Sequence, residues 1–380
     1  MTSKLSARAP GLDLARALAI SAVLACHLLV ILPTSSLRLQ VLLSYTGEVG
    51  VNLFFALSGF LIGRIALQRV DTLRDAAHFW TRRWFRTLPA GLVVAGLLGL
   101  VLHPSVLNFL ATITFTRGLF RDAGQSPFLP HYWSLMIEEW FYLLLPFLLL
   151  AVGRGRHRLA CLVLAWVCLA LLHVPAATVL HLTYSQQAFL TWMRLDAILA
   201  GVVVAGAEHL FQGAVGRFWC AAGWCGIAAL FAMLLLADPV PVYDPLLLMV
   251  APRGMGDFVH AAQLSLVPVL FAVTLPAMAA WRPARPHGAE WRIVQIIALL
   301  TYALYLVHWD IYRFMANFSG TAGLNAVAAC VLAVALSLLL AWLVHVAVER
   351  PFMALRDRVA PDAPVPVPAQ ASATRFLAHE

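Results

Sequence analysis

Arg16 and His27 stand eleven residues apart in the apolar stretch DLARALAISAVLACHLLVI, residues 13–31. At about 100° per residue, eleven steps fall within about 20° of three full turns. On a straight helix both side chains therefore leave the same face, roughly 16 Å apart along the axis. An ionisable group at mid-membrane depth costs at least a few kcal/mol unless it is paired or reached by a wet cavity. A cation near one end and an imidazole deep inside suit a long, thin, anionic ligand whose reactive end lies at His27. A snorkelling arginine and a hydrogen-bonded core histidine would give the same pattern.

Other segments carry comparable groups. In FWTRRWFRTLPA, Arg83 and Arg86 are three apart and project together on a helix, with Arg82 pointing elsewhere. Such a pair can hold lipid headgroups or a soluble phosphate ligand, or simply anchor a basic loop. In LPHYWSLMIEEWFYLLLP the spacing of His131, Ser134 and Glu138 predicts one shared face, with Glu139 about 100° away. With Trp133 they would form a cluster of the kind that binds a hydroxylated ligand, though paired glutamates at a helix start also favour the helix dipole. Arg194 and Asp196 in MRLDAILAG are expected to neutralise each other. Tyr305 and His308 in TYALYLVHWDIY would sit near the external end of their span, His308 as an interfacial residue. GEVGVNLFFALSGFLIGRIAL, which holds Glu48 and Asn52, reads as a helix packed closely through Ser58 and Gly59.

The elements that must position these groups follow from composition. The chain has 380 residues, 62% of them hydrophobic and 12% charged, too little charge for the shell of a soluble protein this long. Apolar runs predict an all-α, polytopic bundle of about ten spans: 12–32, 47–67, 86–103, 133–152, 158–174, 188–207, 217–237, 262–281, 294–316 and 322–347. Segment 105–119 is too short to cross and reads as re-entrant or interfacial. Net charge is +8, and Lys4 is the sole lysine. In a membrane protein that excess belongs to arginine-rich cytoplasmic loops rather than to nucleic-acid binding. Loops 68–86, 153–158 and 282–292 are basic, whereas 174–187 and 238–257 are not, which puts both termini in the cytoplasm. The expected organisation is one transmembrane domain, 1–358, and a disordered Pro/Ala-rich tail, 359–380. Pro351 in VERPF is the expected stop of the last span. The six cysteines lack metal-ligand spacing and read as small buried apolar residues.

In order and spacing, these motifs resemble the membrane-bound acyltransferase-3 family, which O-acylates bacterial surface glycans and some secreted small molecules. The matching elements are Arg16 with ten residues before His27, GVNLFFALSGFLI, the RxxR of Arg83 and Arg86, HYWSLMIEEWFYLLLP, RLDAILAG, YALYLVH and the terminal VERP. The resemblance implies a multi-pass protein of the bacterial inner membrane that moves an acyl group, acetyl by default, from cytoplasmic acyl-CoA to a hydroxyl of a glycan or glycolipid. It implies that Arg16 and His27 are needed for catalysis and that Arg83 and Arg86, with Arg16, hold the donor. His27 would act as general base or pass through an acyl-imidazole. The acceptor would enter past His131, Trp133, Ser134 and Glu138, with Glu48, Asn52, Arg194, Asp196, Tyr305 and His308 in support and no metal. Relatives often carry an acid where this chain has Asn52, so the partner that orients His27 is open. A secondary transporter is the main rival, because intramembrane Arg, His and Glu also mark transport pathways. A scaffold within a glycan-export complex is the third reading.

Overall fold

The computed structural model describes residues 9–32, 36–119, 128–155, 157–182, 184–236, 255–283 and 288–361. Lys4, Arg8, Arg156, Arg285, most of loop 238–257 and the tail from 362 lie outside the described residues. The described residues form helices and turns, with no strand among them. The helices are α1 (Pro10–His27), α2 (Leu37–Arg69), α3 (Leu73–Leu102), α4 (Val106–Ile113), α5 (Trp133–Val152), α6 (Arg158–Val179) and α7 (Tyr184–Phe189). Then follow α8 (Leu195–Gly206), α9 (Gly213–Leu236), α10 (Met255–Ala280), α11 (Ala289–Ala322), α12 (Ala326–Val344) and α13 (Arg350–Val359).

Six helical stretches are long and apolar enough to cross a bilayer, and Arg158–His173 and Leu264–Ala280 form two shorter apolar helices. Large apolar side chains such as Leu100, Leu164 and Val327 are exposed on the outside of the bundle. In water such a surface would be unstable; in lipid it is the ordinary state. The chain is thus a multi-pass helical membrane protein.

Two expectations about helix ends are corrected. The stretch 188–207 is not one span: α7, a turn at Thr191–Met193 and the 12-residue α8 replace it. Twelve residues rise only about 18 Å, short of a hydrocarbon core of about 30 Å. Arg194 occupies the break, where its guanidinium donates to the Leu264 carbonyl at 2.9 Å. Pro351 does not stop the last helix either. A π-helical turn, His345–Glu349, follows α12, and Pro351 falls in the first turn of α13, where a missing N–H is tolerated. The cysteines are free, but Cys168 and Cys225 are exposed rather than buried, on faces where a small apolar side chain can meet lipid.

The segment after α3 is short, as expected. Ser105 caps the eight-residue α4 by accepting from Asn108 N at 3.3 Å. Beyond it, Arg117 is buried and donates to the carbonyls of Phe128 and Leu129 at 2.6 and 2.8 Å. Burial lowers its pKa to about 10, so it remains a cation at neutral pH. It clamps the chain just ahead of His131, where Leu129 adopts a left-handed backbone (φ 47°). Arg117→Met should cost on the order of 3 kcal/mol, because the freed carbonyls stay buried without donors. A thermal-stability scan in detergent checks this, and an unchanged midpoint would contradict it.

Candidate active site

α1 begins and α2 ends at the same end of the bundle, and α3 starts there too. Their arginines consequently converge: Arg16, Arg64, Arg83 and Arg86 all line one cavity of about 540 Å³. The cavity runs inward along α2 and α11 and reaches Phe54, Ser134, Leu135 and Tyr305. From the other side of its mouth the π turn contributes His345 and Glu349, which share a 2.6 Å hydrogen bond. The two side chains are four residues apart and so stand as neighbours on one face.

Most of these arginines already have a carboxylate. Asp13 accepts from Arg16 at 2.6 Å, and Glu208 lies 3.2 Å from Arg64. Arg83 lies over the Tyr142 ring, 4.0 Å from its centroid, donates to the Tyr142 hydroxyl, and sits 3.6 Å from Glu138. The Tyr142 hydroxyl in turn donates to Glu138 at 2.6 Å and meets Ser58 in a short hydrogen bond. Arg86 differs. It is exposed within the cavity, and among the described residues it makes no hydrogen bond. The guanidiniums of Arg16 and Arg83 and the carboxylate of Glu349 act on it electrostatically. Three guanidiniums turned toward one space repel each other, and an anion with several oxygens relieves that repulsion. Arg82 points away, as expected, and donates to the Ala360 carbonyl.

Behind the inner wall lie the histidines. His27 is the last residue of α1, and its Nδ1 is 2.8 Å from Nε2 of His308. The two rings stack with centroids 5.0 Å apart, and the edge of Trp309 packs against His27 at 4.8 Å. His308 is fully buried, which corrects its expected place at an interface. The far side of its ring, Nδ1, lies 3.0 and 2.9 Å from the carbonyls of Leu304 and Tyr305. His27 does not line the cavity. Tyr305 stands between: its ring meets His308 at 5.6 Å, its hydroxyl donates to the His131 carbonyl at 2.7 Å, and Ser134 Oγ reaches that hydroxyl at 2.5 Å.

The expected acceptor cluster is divided. Ser134 and Glu138 line the arginine cavity, His131 bonds the Leu306 carbonyl at 3.2 Å, and Trp133 packs between Phe55 and Phe189. The cause is local: His131 lies in the turn Pro130–Tyr132, and α5 starts only at Trp133, so helical spacing does not reach back to the histidine. Arg194 and Asp196 do not pair with each other either. Arg194 donates to Asn52, and Asp196 accepts from Ser265 at 2.6 Å and lies 3.4 Å from His173. Arg194 stands in the break ahead of α8 and Asp196 in the first turn of that helix, so the two side chains are directed to different neighbours. Asn52 is thereby committed to Arg194, and His308 is the group bonded to His27.

Several cavity residues escaped the sequence reading. Asp13, three before Arg16, was available from helical spacing alone, as was Tyr142, four after Glu138, which backs the cavity through Arg83 and Glu138 without lining it. His345 was equally available, four before the Glu349 of VERPF, and the hydrogen bond the two share spans that same interval.

The acyltransferase-3 family model, described as an acyltransferase domain, matches residues 10–346. Peptidoglycan O-acetyltransferase OatA of Listeria monocytogenes is 31% identical over 191 residues, 45% of this chain and 29% of that protein. A provisionally named O-acetyltransferase of Staphylococcus aureus is 29% identical over 217 residues, 52% of this chain and 34% of its own length. The matched segments thus span about a third or less of these relatives. No solved structure matches the chain significantly. The family match begins with the first turn of α1, takes in both histidines and all four cavity arginines, and ends in the π turn: the chain belongs to the acyltransferase-3 family.

Proposed function

We propose that this protein transfers an acyl group, acetyl in the simplest case, from cytoplasmic acyl-CoA to a hydroxyl of a glycan or glycolipid, with His27 as the base. The observation that carries the reading is Arg86. A cation exposed in a cavity beside two more guanidiniums, with no hydrogen bond of its own among the described residues, suits the phosphates of a nucleotide-bearing thioester. The basic loops around this end would place the mouth in the cytoplasm of a bacterial inner membrane. From there the pantetheine arm would run along α2 toward Phe54 and Ser134. The Tyr305 ring must turn aside for the thioester to meet His27, and its two hydrogen bonds make that a modest barrier of roughly 1–3 kcal/mol.

In the transfer itself, the His27 imidazole takes the proton of the acceptor hydroxyl while its oxygen attacks the thioester carbonyl. The carbon–sulfur bond then breaks, the CoA sulfur leaves as thiolate, and it recovers the proton from the imidazolium. The names of the Listeria and Staphylococcus relatives support acetyl as the group moved, and the former supports a carbohydrate as its destination.

The test is transfer from labelled acetyl-CoA by the purified protein in lipid nanodiscs, with glycan and glycolipid fractions of bacterial envelopes as acceptors. Acetyl esters on the glycan are the expected product. Arg86→Gln should raise KM for acetyl-CoA roughly 10-fold or more with kcat little changed, because a charge-assisted phosphate contact contributes about 1.5–3 kcal/mol to binding. Transfer with unaltered KM in that variant would remove Arg86 from the donor site. No ester on any hydroxyl acceptor would remove the reading as a whole.

A further inference from the structure

We infer that His308 is the positioning residue that fixes the tautomer of His27, holding its proton on Nδ1 and leaving Nε2 bare to accept one. The assignment follows from a chain of hydrogen bonds. Backbone carbonyls only accept, so His308 Nδ1, within 3.0 Å of two of them, must carry a proton. In the uncharged ring its Nε2 is then a lone pair. His27 Nδ1 lies 2.8 Å from that lone pair and has to be the donor. The remaining proton-free nitrogen of the pair is His27 Nε2, the one that could deprotonate a hydroxyl. The opposite tautomer would set two lone pairs face to face at the same distance.

Two features give this arrangement its strength. The carbonyls of Leu304 and Tyr305 are spaced as helical neighbours of His308 in α11, so the direction of the relay is set by backbone and not by a mobile side chain. Among the described residues, no carboxylate pairs with either ring; the groups around the pair are His131, Tyr305, Tyr312 and Trp309. In many His-dependent enzymes an acid holds the imidazole. Here a second imidazole does so, and it can orient the base without burying a negative charge in the membrane.

This inference rests on the reading of His27 as the base, and the experiment separates the two. Three variants are compared in nanodiscs: His308→Phe, which keeps a flat ring but offers no acceptor; His308→Gln, whose amide oxygen can accept from His27; and His27→Asn. His308→Phe should lower kcat about 10²- to 10⁴-fold with KM for acetyl-CoA unchanged, the range associated with a misdirected general base. His308→Gln should recover at least 10-fold of that loss. Nitrogen-15 NMR of histidine-labelled protein gives a readout independent of activity, since a protonated and a bare ring nitrogen have well separated shifts. Wild-type His27 should show a bare Nε2, and His308→Phe should show both tautomers. A protonated Nε2 in the wild type, or wild-type kcat in His308→Phe, would overturn the role of His308 and leave His27 standing if His27→Asn is inactive. Full activity in His27→Asn would overturn the underlying reading instead.

Discussion

Replacing His27 with asparagine should leave a folded membrane protein that binds acetyl-CoA normally and acylates about 10²- to 10⁴-fold more slowly. Asparagine is the informative choice. Its amide can occupy the place of Nδ1 and donate to His308, so the contact between α1 and α11 survives while the nitrogen that would take a proton is lost. The loss should fall on kcat, because the guanidiniums at the cavity mouth belong to Arg16, Arg83 and Arg86, and helix geometry puts Arg16 roughly 16 Å from His27. The same variant distinguishes two chemistries. If the acyl group passes through an acyl-imidazole, brief incubation of wild-type protein with labelled acetyl-CoA and no acceptor should trap label on His27, and the variant should trap none. If His27 is a base only, neither protein retains label. Acylation at the wild-type rate in the variant would exclude the imidazole from the reaction.

What the sequence revealed and what it hid follow the same physical line. Spacing along a regular helix was readable: Arg16 and His27 do lie on one continuous helix, Arg83 and Arg86 do face one cavity, and Arg82 does point away. Wherever the backbone departs from an α-helix, the reading failed. The turn before α5 removed His131 from the face it seemed to share with Glu138, the break before α8 divided one expected span into pieces, and the π turn carried the last helix on past Pro351. Contacts between distant segments were hidden for a different reason. His27 and His308 are separated by 281 positions, and only the packing of α1 on α11 joins them. A histidine in an apolar run shows that a partner is needed, but periodicity holds no information about which helix supplies it. The expectation that Arg194 and Asp196 neutralise each other failed at another such departure, since Arg194 lies in the break before α8 and is bonded to Asn52 while Asp196 is bonded to Ser265.

The largest structural effect is expected where α2 crosses α8. A Cβ placed on Gly59 would lie 1.8 Å from the Ile198 carbonyl oxygen, and one on Gly201 would lie 2.2 Å from the Ala56 oxygen. Both neighbours are backbone atoms of the facing helix, so no rotamer change can make room; the helices themselves must separate. Apolar side chains gain little by leaving lipid for a protein interior, and membrane helices therefore hold together by close packing of this kind. Gly201→Val should exceed the 1–3 kcal/mol typical of an overpacked core and prevent the bundle from accumulating in folded form. Gly63, one turn on from Gly59, would be 2.9 Å from the Val202 Cα, and Gly63→Ala should therefore be milder than Gly59→Ala. The damage should also reach the cavity. Phe54, Phe55 and Ser58 on the same stretch of α2 form its wall, and Asn52 on that helix accepts from Arg194 beside α8. Fluorescence-detected size exclusion of tagged variants measures folded yield, and acyl-CoA titration of whatever survives measures the cavity. A Gly201→Val protein with wild-type elution and wild-type KM would mean that the two helices do not touch as closely as their backbones here require.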